Sequence, residues 1–375
     1  MRAARRQILA TAQSSAGLML ATDLANRYTA PDRFYRGSRF IDEIQAVAEE
    51  LARKVFNARF ADVRPLSGHV ADLAVFGALV RAGDKVVSVS PDAGGYPGIA
   101  HQGIGRLLGL KNLYFPYNEA AINIDPKESK RLLQAEKPRL VVFGSSFIPF
   151  PQPVRQVSDG AGDAVCVYDG SHVLGLIAGG EFQDPLREGC PLLIGSTHKS
   201  FPGPQGGLIL ANNEEIFRKV TEFMHPTVVD NVHWNRVAAL AVALAEMLHF
   251  GKPYASAVVR NAQALAKSLS GFGVGVRGAS HGYTRSHQVL LDYDRTKCEF
   301  FAKRLEEANI IVDNWGRIGV SEVTRLGMGA GEMEQVAELM SLVILGKKPA
   351  DFVARRVRSL LKDFKNPIFV LKSMP

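Results

Sequence analysis

The sequence has few cysteines and lacks a long apolar run. Its three cysteines, Cys166, Cys190 and Cys298, do not have the spacing of metal ligands, so no metal site is predicted. An odd number of cysteines without a secretion signal is typical of a reducing compartment, and a cytoplasmic location is expected. No apolar run reaches the roughly 18–20 residues that a membrane-spanning helix needs, so no membrane partner is expected. Internal repeats and low-complexity tracts are also absent.

The composition is that of a globular protein. The chain has 375 residues, of which 46% are apolar and 22% are charged, and it is long enough for two domains. Its net charge of +8 raises the question of nucleic-acid binding, but the basic residues are scattered and become denser only near the C-terminus. A solvated face and an electropositive pocket for phosphate and carboxylate groups explain the charge better, and no nucleic-acid partner is expected. The basic first six residues resemble a transit peptide, yet they continue into the folded pattern without a break.

Strand-like and helical segments alternate along the first 250 residues. Apolar runs that suit strands of a sheet buried on both faces lie at residues 85–89, 140–143, 164–167, 192–194 and 208–210. Helical periodicity predicts helices at residues 42–56, 70–81, 126–136 and 233–250. This alternation predicts a doubly wound α/β domain with a mainly parallel sheet.

A second, smaller α+β domain is predicted after residue 250. Gly251-Lys252-Pro253 is expected to break the long helix that leaves the first domain. The pattern beyond it predicts helices at 254–269, 299–308 and 332–345 and strands at 286–292 and 310–313. The predicted organisation is an N-terminal arm over residues 1–25, a large domain over 26–250 and a small domain over 251–375.

Two segments with candidate catalytic residues follow two of the predicted strands. Asp169 and His172 follow the strand at 164–167, and Lys199 follows the strand at 192–194. A lysine amine forms a Schiff base with an aldehyde cofactor, and an aspartate holds the protonated ring nitrogen of pyridoxal phosphate (PLP). A lone lysine in a glycine-rich loop is usually a surface residue, but parallel strands would bring both segments to one edge of the sheet. The combination predicts a PLP-dependent enzyme.

A phosphate site is predicted at the start of a helix. Ser67-Gly68-His69 precedes the helix at 70–81, and backbone N–H groups at a helix start suit a phosphate, although Ser-Gly is also an ordinary helix cap. Tyr96 follows the strand at 85–89. It is interpreted either as a side chain that stacks on an aromatic cofactor or as an exposed loop tyrosine.

Two further residues extend the candidate site. Ser146 follows the strand at 140–143 and suits a donor to the cofactor's ring oxygen, or a plain cap at the strand end. Arg317 lies in the predicted small domain. Its guanidinium suits a substrate carboxylate, which it would hold with two parallel hydrogen bonds, or a surface ion pair.

The order of these motifs resembles serine hydroxymethyltransferase, a fold-type I PLP enzyme. The closest stretches are residues 168–180, Thr197-His198-Lys199 and residues 203–210, and the resemblance extends from about residue 24 to residue 327. It implies the PLP fold type I, with Lys199 as the Schiff-base lysine and Asp169 as the partner of the pyridinium nitrogen. The cofactor contacts that it implies are Ser67, Gly68, His69, Tyr96, Ser146, Asp169, His172, Ser196, His198 and Lys199.

The resemblance also implies a substrate site and a partner subunit. Arg317, Tyr28 and Tyr35 are implied to bind the substrate, and both tyrosines reach the partner's site in a homodimer with shared active sites. Tyr35 joins Lys199, Asp169 and His172 among the implied catalytic residues. The implied enzyme is a PLP-dependent transferase or aldolase for a small amino-acid substrate, which cleaves or forms the Cα–Cβ bond of serine, glycine-type or other β-hydroxy amino acids.

Departures from the family pattern bear on folate. The family has Tyr-Ala-Glu-Gly where this chain has Tyr28-Thr29-Ala30-Pro31, and Ala30 cannot handle protons as that glutamate does. The loop before Arg317 is also shorter, and in the family it helps to hold folate. The sequence therefore leaves tetrahydrofolate open as a second cofactor and favours chemistry without it.

Two alternatives remain at this point. One is a PLP-dependent aminotransferase, racemase or lyase on the same fold. The other is a non-catalytic PLP-binding or regulatory protein. The presence of Lys199, Asp169 and Arg317 together argues against the second alternative, because a scaffold without catalysis needs none of them.

Overall fold

The computed structural model describes residues 15–29 and 38–371. Its strands are β1 (Phe60–Asp62), β2 (Lys85–Ser88), β3 (Lys111–Tyr114), β4 (Tyr117–Asn118), β5 (Asn123–Ile124), β6 (Leu140–Phe143), β7 (Val165–Asp169), β8 (Leu192–Ser196), β9 (Gly207–Ala211), β10 (Gln288–Leu290) and β11 (Arg317–Gly319). Its α-helices are α1 (Ser15–Leu20), α2 (Arg39–Phe56), α3 (Gly68–Leu79), α4 (Ile104–Leu107), α5 (Pro126–Glu136), α6 (Val154–Ser158), α7 (Leu174–Ala178), α8 (Glu214–Phe223), α9 (Trp234–Gly271), α10 (Arg295–Glu307), α11 (Ser321–Arg325), α12 (Ala330–Ile344) and α13 (Ala350–Leu360).

The main sheet contains seven of these strands, in the order β1-β9-β8-β7-β6-β2-β3. All neighbours from β8 to β3 pair in parallel, whereas β9 is antiparallel to both β8 and β1. The predicted α/β fold with a mainly parallel sheet is therefore confirmed. Because parallel strands point the same way, the carboxyl ends of β2, β6, β7 and β8 lie along one edge of the sheet.

Helices cover both faces of the main sheet. In β6, Leu140 and Val142 belong to an apolar cluster with buried residues of α3 and α8. Val141 and Phe143 belong to a second cluster, with buried residues of α2 and α9. All four side chains are inaccessible to solvent. Burial on both faces explains why this strand is apolar without alternation.

Helix α9 runs through Pro253 without ending. The helix break predicted at residues 251–253 is therefore wrong. Proline removes one backbone hydrogen bond from a helix, but α9 packs along its length against α1, α2 and α12. Just after the proline, the Tyr254 hydroxyl donates a hydrogen bond to the Ser200 carbonyl, 2.7 Å away. The expected domain boundary at residue 250 lies inside this helix, and the division into domains stays a prediction.

The C-terminal region carries a small antiparallel sheet, in which β10 pairs with β11. The strand predicted at 310–313 is wrong, because that segment has no regular structure. Asp313 instead stabilises a turn: its Oδ1 accepts hydrogen bonds from the backbone N–H groups of Trp315, at 2.8 Å, and Arg317, at 3.0 Å. The second strand begins only after this turn, at Arg317.

Part of the expected N-terminal arm is helical and packed. Helix α1 lies against α9, where Ala16 is buried. The Asn235 amide donates a hydrogen bond of 3.0 Å to the Leu20 carbonyl at the end of α1. Over residues 15–29 and 38–371, no helix has the length and apolarity that would let it cross a membrane.

Candidate active site

A cavity of about 210 Å³ lies at the carboxyl edge of the main sheet. Its lining consists of Ser67, Gly68, His69, Asp72, Tyr96, Ser145, Ser146, Asp169, Ser171, His172, Ser196, His198 and Lys199. All ten residues predicted to contact the cofactor are in this set. They come from α3 and from the ends of β2, β6, β7 and β8 or the loops that follow them, so the parallel topology brings them together.

Helix α3 begins at the wall of this cavity. Ser67 is its N-cap, and the Ser67 hydroxyl accepts a hydrogen bond of 3.1 Å from the backbone N–H of Val70. A Cβ atom at Gly68 would lie 2.4 Å from Oγ of Ser196 and 2.9 Å from Oγ of Ser171, so only glycine allows the helix to approach β8 this closely. The positive end of the helix dipole thus faces a site that suits an anion.

Asp169 ends β7 and is 9% exposed. Its Oδ1 accepts a hydrogen bond of 2.9 Å from the backbone N–H of Ser171. The neighbouring Gly144 has a φ of +94°, and a Cβ there would lie 2.0 Å from the Asp169 carbonyl oxygen. Glycine is required at position 144 by both its backbone conformation and this contact. The packed backbone and the hydrogen bond fix the position of the carboxylate.

Lys199 and His172 meet inside the cavity, with Nζ of Lys199 3.3 Å from Nε2 of His172. Lys199 is reached from solvent through the cavity, yet the surrounding protein lowers the pKa of its amine; Asp169 and Asp72 oppose this effect and Arg317 adds to it. Burial, together with the charges of Lys199 and Arg317, holds the pKa of His172 well below its usual range. Both effects favour the neutral bases, which are the forms that act as nucleophile and proton acceptor.

Arg317 joins the small C-terminal sheet to the edge of the main sheet. Its NH1 donates a hydrogen bond of 2.6 Å to the Ser146 carbonyl, which also accepts one of 2.9 Å from the Gln288 amide. Its Nε forms an ion pair of 2.9 Å with Asp313, and the guanidinium lies 5.1 Å from the ring centre of Phe147. Arg317 does not line the cavity. Its positive charge nevertheless lowers the pKa values of Lys199 and His172, so a fixed cation lies close to the cavity.

His69 and Tyr96 form one wall of the cavity. Their rings meet edge to face, with the centres 5.9 Å apart and the planes at 88°. The Tyr96 hydroxyl lies 3.4 Å from Nδ1 of His69. Burial, with contributions from Asp72 and Asp169, raises the pKa of Tyr96, so its hydroxyl is neutral at physiological pH. The wall therefore offers aromatic surface and a neutral tyrosine hydroxyl.

A second, larger cavity of about 460 Å³ shares His198 and Lys199 with the first. Its remaining walls come from α1, the loop after Lys199, α9, α11 and the C-terminal segment. The residues that line it are Ala16, Gly17, Leu20, His198, Lys199, Pro202, Gly203, Pro204, Gln205, Tyr254, Ser321, Glu322, Arg325, Leu326 and Pro367. Lys199 therefore contributes to the lining of both cavities.

Comparisons with known proteins agree with this architecture. The family model described as serine hydroxymethyltransferase matches residues 8–340. The chain belongs to the serine hydroxymethyltransferase family. A serine hydroxymethyltransferase from Korarchaeum cryptofilum is 40% identical over 392 residues, which cover 95% of this chain and 90% of that protein. The enzyme of the same name from Archaeoglobus fulgidus is 42% identical over 366 residues, covering 92% of this chain and 83% of the relative.

A solved structure of the same fold is the L-threonine transaldolase from Pseudomonas fluorescens, in its internal aldimine state. It is 26% identical to this chain, with a TM-score of 0.86, and the match covers 97% of this chain and 86% of that one. The predicted family, the PLP fold type I and the class of PLP-dependent transferases are confirmed.

The residues of the cavity fit PLP, the cofactor that the family uses. The start of α3 suits the phosphate, because backbone N–H groups at a helix start bind anions and Gly68 has no side chain that would separate the helix from Ser196. Asp169 offers a carboxylate for a protonated ring nitrogen. Lys199 supplies an amine whose pKa is lowered, and a neutral amine is what an aldehyde needs.

Three of the predicted site residues, Arg317, Tyr28 and Tyr35, are not among those that the structure places in the lining of either cavity. Tyr28 is 50% exposed and lines neither cavity. Tyr35 and Ala30 lie outside the described residues. The roles expected for the two tyrosines at a partner's site, and for Ala30 in the preference against folate, stay predictions.

Sequence reasoning missed several residues of the site. His287 is buried and stacks on His172, with ring centres 6.4 Å apart and planes at 11°. Burial, with the charges of Arg317 and Lys199, lowers the pKa of His287 to about 3. Asp72, Ser145 and Ser171 line the cavity. Asp72 had one signal in the sequence, as the single charged residue of an otherwise apolar helix, and His287 had none.

Proposed function

We propose that the protein cleaves or forms the Cα–Cβ bond of serine, glycine-type or other β-hydroxy amino acids with PLP. The observation that carries this proposal is the meeting of Asp169, Lys199 and the start of α3 at one cavity, with Arg317 beside it. These are the groups that hold a ring nitrogen, an aldehyde, a phosphate and a substrate carboxylate. The relatives named serine hydroxymethyltransferase and the L-threonine transaldolase support a β-hydroxy amino acid as substrate.

Each part of the cofactor has a counterpart in the cavity. Lys199 would bond to its aldehyde, Asp169 would accept a hydrogen bond from its ring nitrogen, and Ser67 and Gly68 would hold its phosphate. When bound, PLP supplies an electron-poor ring that stabilises the electron pair left at Cα when a bond to that carbon breaks. The role of Asp169 is to keep the ring nitrogen protonated, which requires that its carboxylate stay fixed by the Ser171 N–H group.

Proton transfer falls to the histidines of the cavity. Cleavage of a β-hydroxy amino acid requires a base that removes the hydroxyl proton while the Cβ–O bond becomes a carbonyl. His172 and His198 both line the cavity, and burial lowers the pKa of each. Each is therefore neutral at physiological pH and able to accept that proton. Tyr35, if it reaches the site from a partner subunit, is a third candidate.

Arg317 is proposed to orient the substrate. Its Nε and NH1 are held by Asp313 and the Ser146 carbonyl, while the structure records no protein hydrogen bond for NH2 within the described residues. A substrate carboxylate would contact the exposed side of the fixed guanidinium, with an added hydrogen bond of the charge-assisted kind. Because Ser146 also faces the cavity, this arrangement places the amino acid next to Lys199.

The proposal also includes a homodimer with shared active sites and a cytoplasmic location. Leu18, Phe40, Val47 and Leu248 are large apolar side chains with 46–64% exposure, and they lie on α1, α2 and α9, which pack together. Exposed apolar side chains on neighbouring helices support a protein interface, and an obligate interface buries on the order of 2,000 Å² or more. Light scattering at micromolar concentration checks this: a monomer that is fully active would contradict the dimer.

Labelling at Lys199 tests the proposed function. Purified protein is loaded with PLP, reduced with borohydride and digested, and the modified peptide is located by mass spectrometry. We expect the label at Lys199 and its loss in Lys199→Ala, with no loss in the control Lys252→Ala on the exposed side of α9. Assays of the aldehyde released from β-hydroxy amino acids then separate Cα–Cβ cleavage from transamination or racemisation. A label on another lysine, or a keto acid as the main product, would contradict the proposal.

A further inference from the structure

Asp72 is a buried carboxyl group in the cavity wall that the proposed mechanism does not use. It lies on α3, where its side chain is 1% exposed. Its Oδ1 has no hydrogen-bond partner in the part of the chain that the structure describes. The remainder of this buried helix face is apolar, with Ala71 and Val75 as neighbours. Since burying an unpartnered polar group is costly, an orphaned carboxyl facing a cavity calls for a partner or a neutral state.

The groups around Asp72 decide which of its two charge states is stable. Asp169 faces it from β7, Lys199 from the loop after β8 and Tyr96 from the loop after β2; His69, His172 and His198 complete the titratable lining. Burial raises the pKa of Asp72 well above its ordinary value, Asp169 raises it further, and Lys199 opposes this. The balance favours the neutral acid beside an aspartate that is needed as a carboxylate.

The same helix offers its first N–H groups to the phosphate of the cofactor. Asp72 lies in the second turn of α3, after the cap at Ser67. A carboxylate at this depth would oppose a phosphate dianion at the helix start and would also compete with Asp169 for the charge of Lys199. A protonated carboxyl does neither, and it still presents a hydrogen-bond donor to the cavity.

We propose that Asp72 is a positioning residue that remains protonated in the resting protein, so that the cofactor cavity contains one carboxylate, Asp169, and one neutral acid, Asp72. The inference rests on the proposed PLP site and adds to it a control of cofactor affinity by pH. When Asp72 loses its proton, the cavity gains a second negative charge next to the phosphate position, and the affinity for PLP falls.

The effect on the stability of the apoprotein has a defined sign. Asp72 has a higher pKa in the folded chain than its ordinary value of 3.8. As the pH rises, the unfolded chain therefore releases this proton before the folded chain does. The stability that Asp72 contributes is complete below about pH 4 and decreases as the pH rises from there to the folded-state pKa. The asparagine side chain of the variant Asp72→Asn has no proton to lose. The stability of this variant relative to the natural protein should thus increase with pH.

The experiment compares the natural protein with Asp72→Asn and with the control Asp62→Asn. Asp62 is nearly as buried as Asp72, with 2% exposure, but it forms an ion pair of 2.6 Å with Arg64 and does not line the cavity. Urea midpoints of the apoproteins are measured at one protein concentration from about pH 5 to about pH 8.5, the range in which a carboxyl with a raised pKa is expected to lose its proton. PLP dissociation constants are measured by equilibrium dialysis over roughly the upper half of that range.

We expect Asp72→Asn to have the higher urea midpoint at the alkaline end, with the difference shrinking toward the acidic end, and Asp62→Asn to have a lower midpoint than the natural protein. The PLP dissociation constant of the natural protein, divided by that of Asp72→Asn, should rise by on the order of tenfold across the range. The reason is that the ratio of ionised to protonated Asp72 changes tenfold with each pH unit. A lower midpoint for Asp72→Asn at every pH, or a ratio independent of pH, would overturn the proposal.

Two further measurements keep the test decisive. Infrared spectra of the natural apoprotein with isotope-labelled aspartate should contain a protonated-carboxyl band near neutral pH even if Asp72→Asn does not fold; its absence would overturn the proposal. Borohydride labelling of Lys199 in Asp72→Asn separates this inference from the proposed function. The label persists if the PLP site is correct, whether or not Asp72 is protonated.

Discussion

The Nε2 atom of His172 lies 3.3 Å from the amine of Lys199, and the other ring nitrogen, Nδ1, lies 3.5 Å from the amide nitrogen of Gln288. Gln288 is itself held, because its amide oxygen accepts a hydrogen bond of 2.7 Å from the Ile148 N–H group. The imidazole is thus placed between the lysine of the large sheet and a side chain of the small C-terminal sheet. The C-terminal region thus places two side chains, Gln288 and Arg317, next to residues of the cavity.

His172→Phe tests the role of the imidazole as a base. Phenylalanine keeps an aromatic face but cannot accept a proton, so kcat should fall by about 10²–10⁴-fold, the usual range for general base catalysis. The PLP dissociation constant should change much less. In the natural protein, the acid limb of the kcat/KM profile that reports this group should lie well below 6.5, the ordinary pKa of histidine. An unchanged kcat would assign the base to His198 or to Tyr35.

Asp169→Asn should impair the chemistry more than the folding. Asparagine keeps the size of the side chain and the hydrogen bond from the Ser171 N–H group, but it cannot hold a proton on the ring nitrogen. Loss of this one charge partner should lower kcat by about 10²–10³-fold. Steady-state kinetics and thermal unfolding are compared with those of Asp163→Asn, an exposed aspartate before the same strand. Similar kinetics of the two variants would contradict the assignment.

Arg317→Lys should raise KM for the amino acid while leaving the affinity for PLP unchanged. Lysine keeps the charge, but its single ammonium cannot replace the three nitrogen atoms by which Arg317 contacts Asp313, the Ser146 carbonyl and, in the proposal, the substrate. A charge-assisted hydrogen bond is worth roughly 1.5–3 kcal/mol, or about 10–100-fold in binding. Arg317→Ala should have a larger effect, because the positive charge is lost as well and the Ser146 carbonyl keeps only the hydrogen bond from Gln288. Arg295→Ala, whose guanidinium lies 4.0 Å from the exposed Trp315 ring, serves as the control. An effect confined to kcat would place Arg317 in the reaction step.

Gly68→Ala should weaken PLP binding, by about tenfold or more if one hydrogen bond to the phosphate is lost. The added methyl group would lie 2.4 Å from the Ser196 hydroxyl oxygen and 3.0 Å from the Ser196 backbone nitrogen, so the start of α3 must shift away from β8. Gly271→Ala is the matched control, because no atom lies within 4 Å of the added methyl group at the end of α9. It should leave PLP binding unchanged and stabilise the chain by about 0.5–1 kcal/mol. Equilibrium dialysis and urea unfolding measure both effects.

Folate-independent cleavage should exceed the folate-dependent reaction. Ala30 stands where the resembled family has a glutamate that handles protons, and general acid–base assistance is typically worth about 10²–10⁴-fold. The assay compares serine plus tetrahydrofolate with allo-threonine or phenylserine alone. The variant Ala30→Glu should raise the folate-dependent rate selectively. A clear preference of the natural protein for serine with tetrahydrofolate would show that another group replaces the glutamate.

Much of the site could be predicted because it obeys a rule of topology. Asp169 and Lys199 follow buried apolar strands, and in a parallel sheet such positions meet at one edge. Strand β6 and helix α5 were predicted with their observed bounds, since an unbroken apolar run and a strong helical period are local signals. The family resemblance added Ser196 and His198 to the lining of the same cavity.

The sequence by itself therefore determined the fold class, the family and the set of residues that end the parallel strands, because these depend on local patterns and on a general rule. Only the tertiary structure decided that α9 continues through Pro253, that Arg317 reaches the Ser146 carbonyl and that Asp72 faces Asp169. Each of these depends on packing between segments far apart in the chain. Whether Pro253 is tolerated, Arg317 is anchored and Asp72 is buried depends on the segments that the rest of the fold places beside each of them.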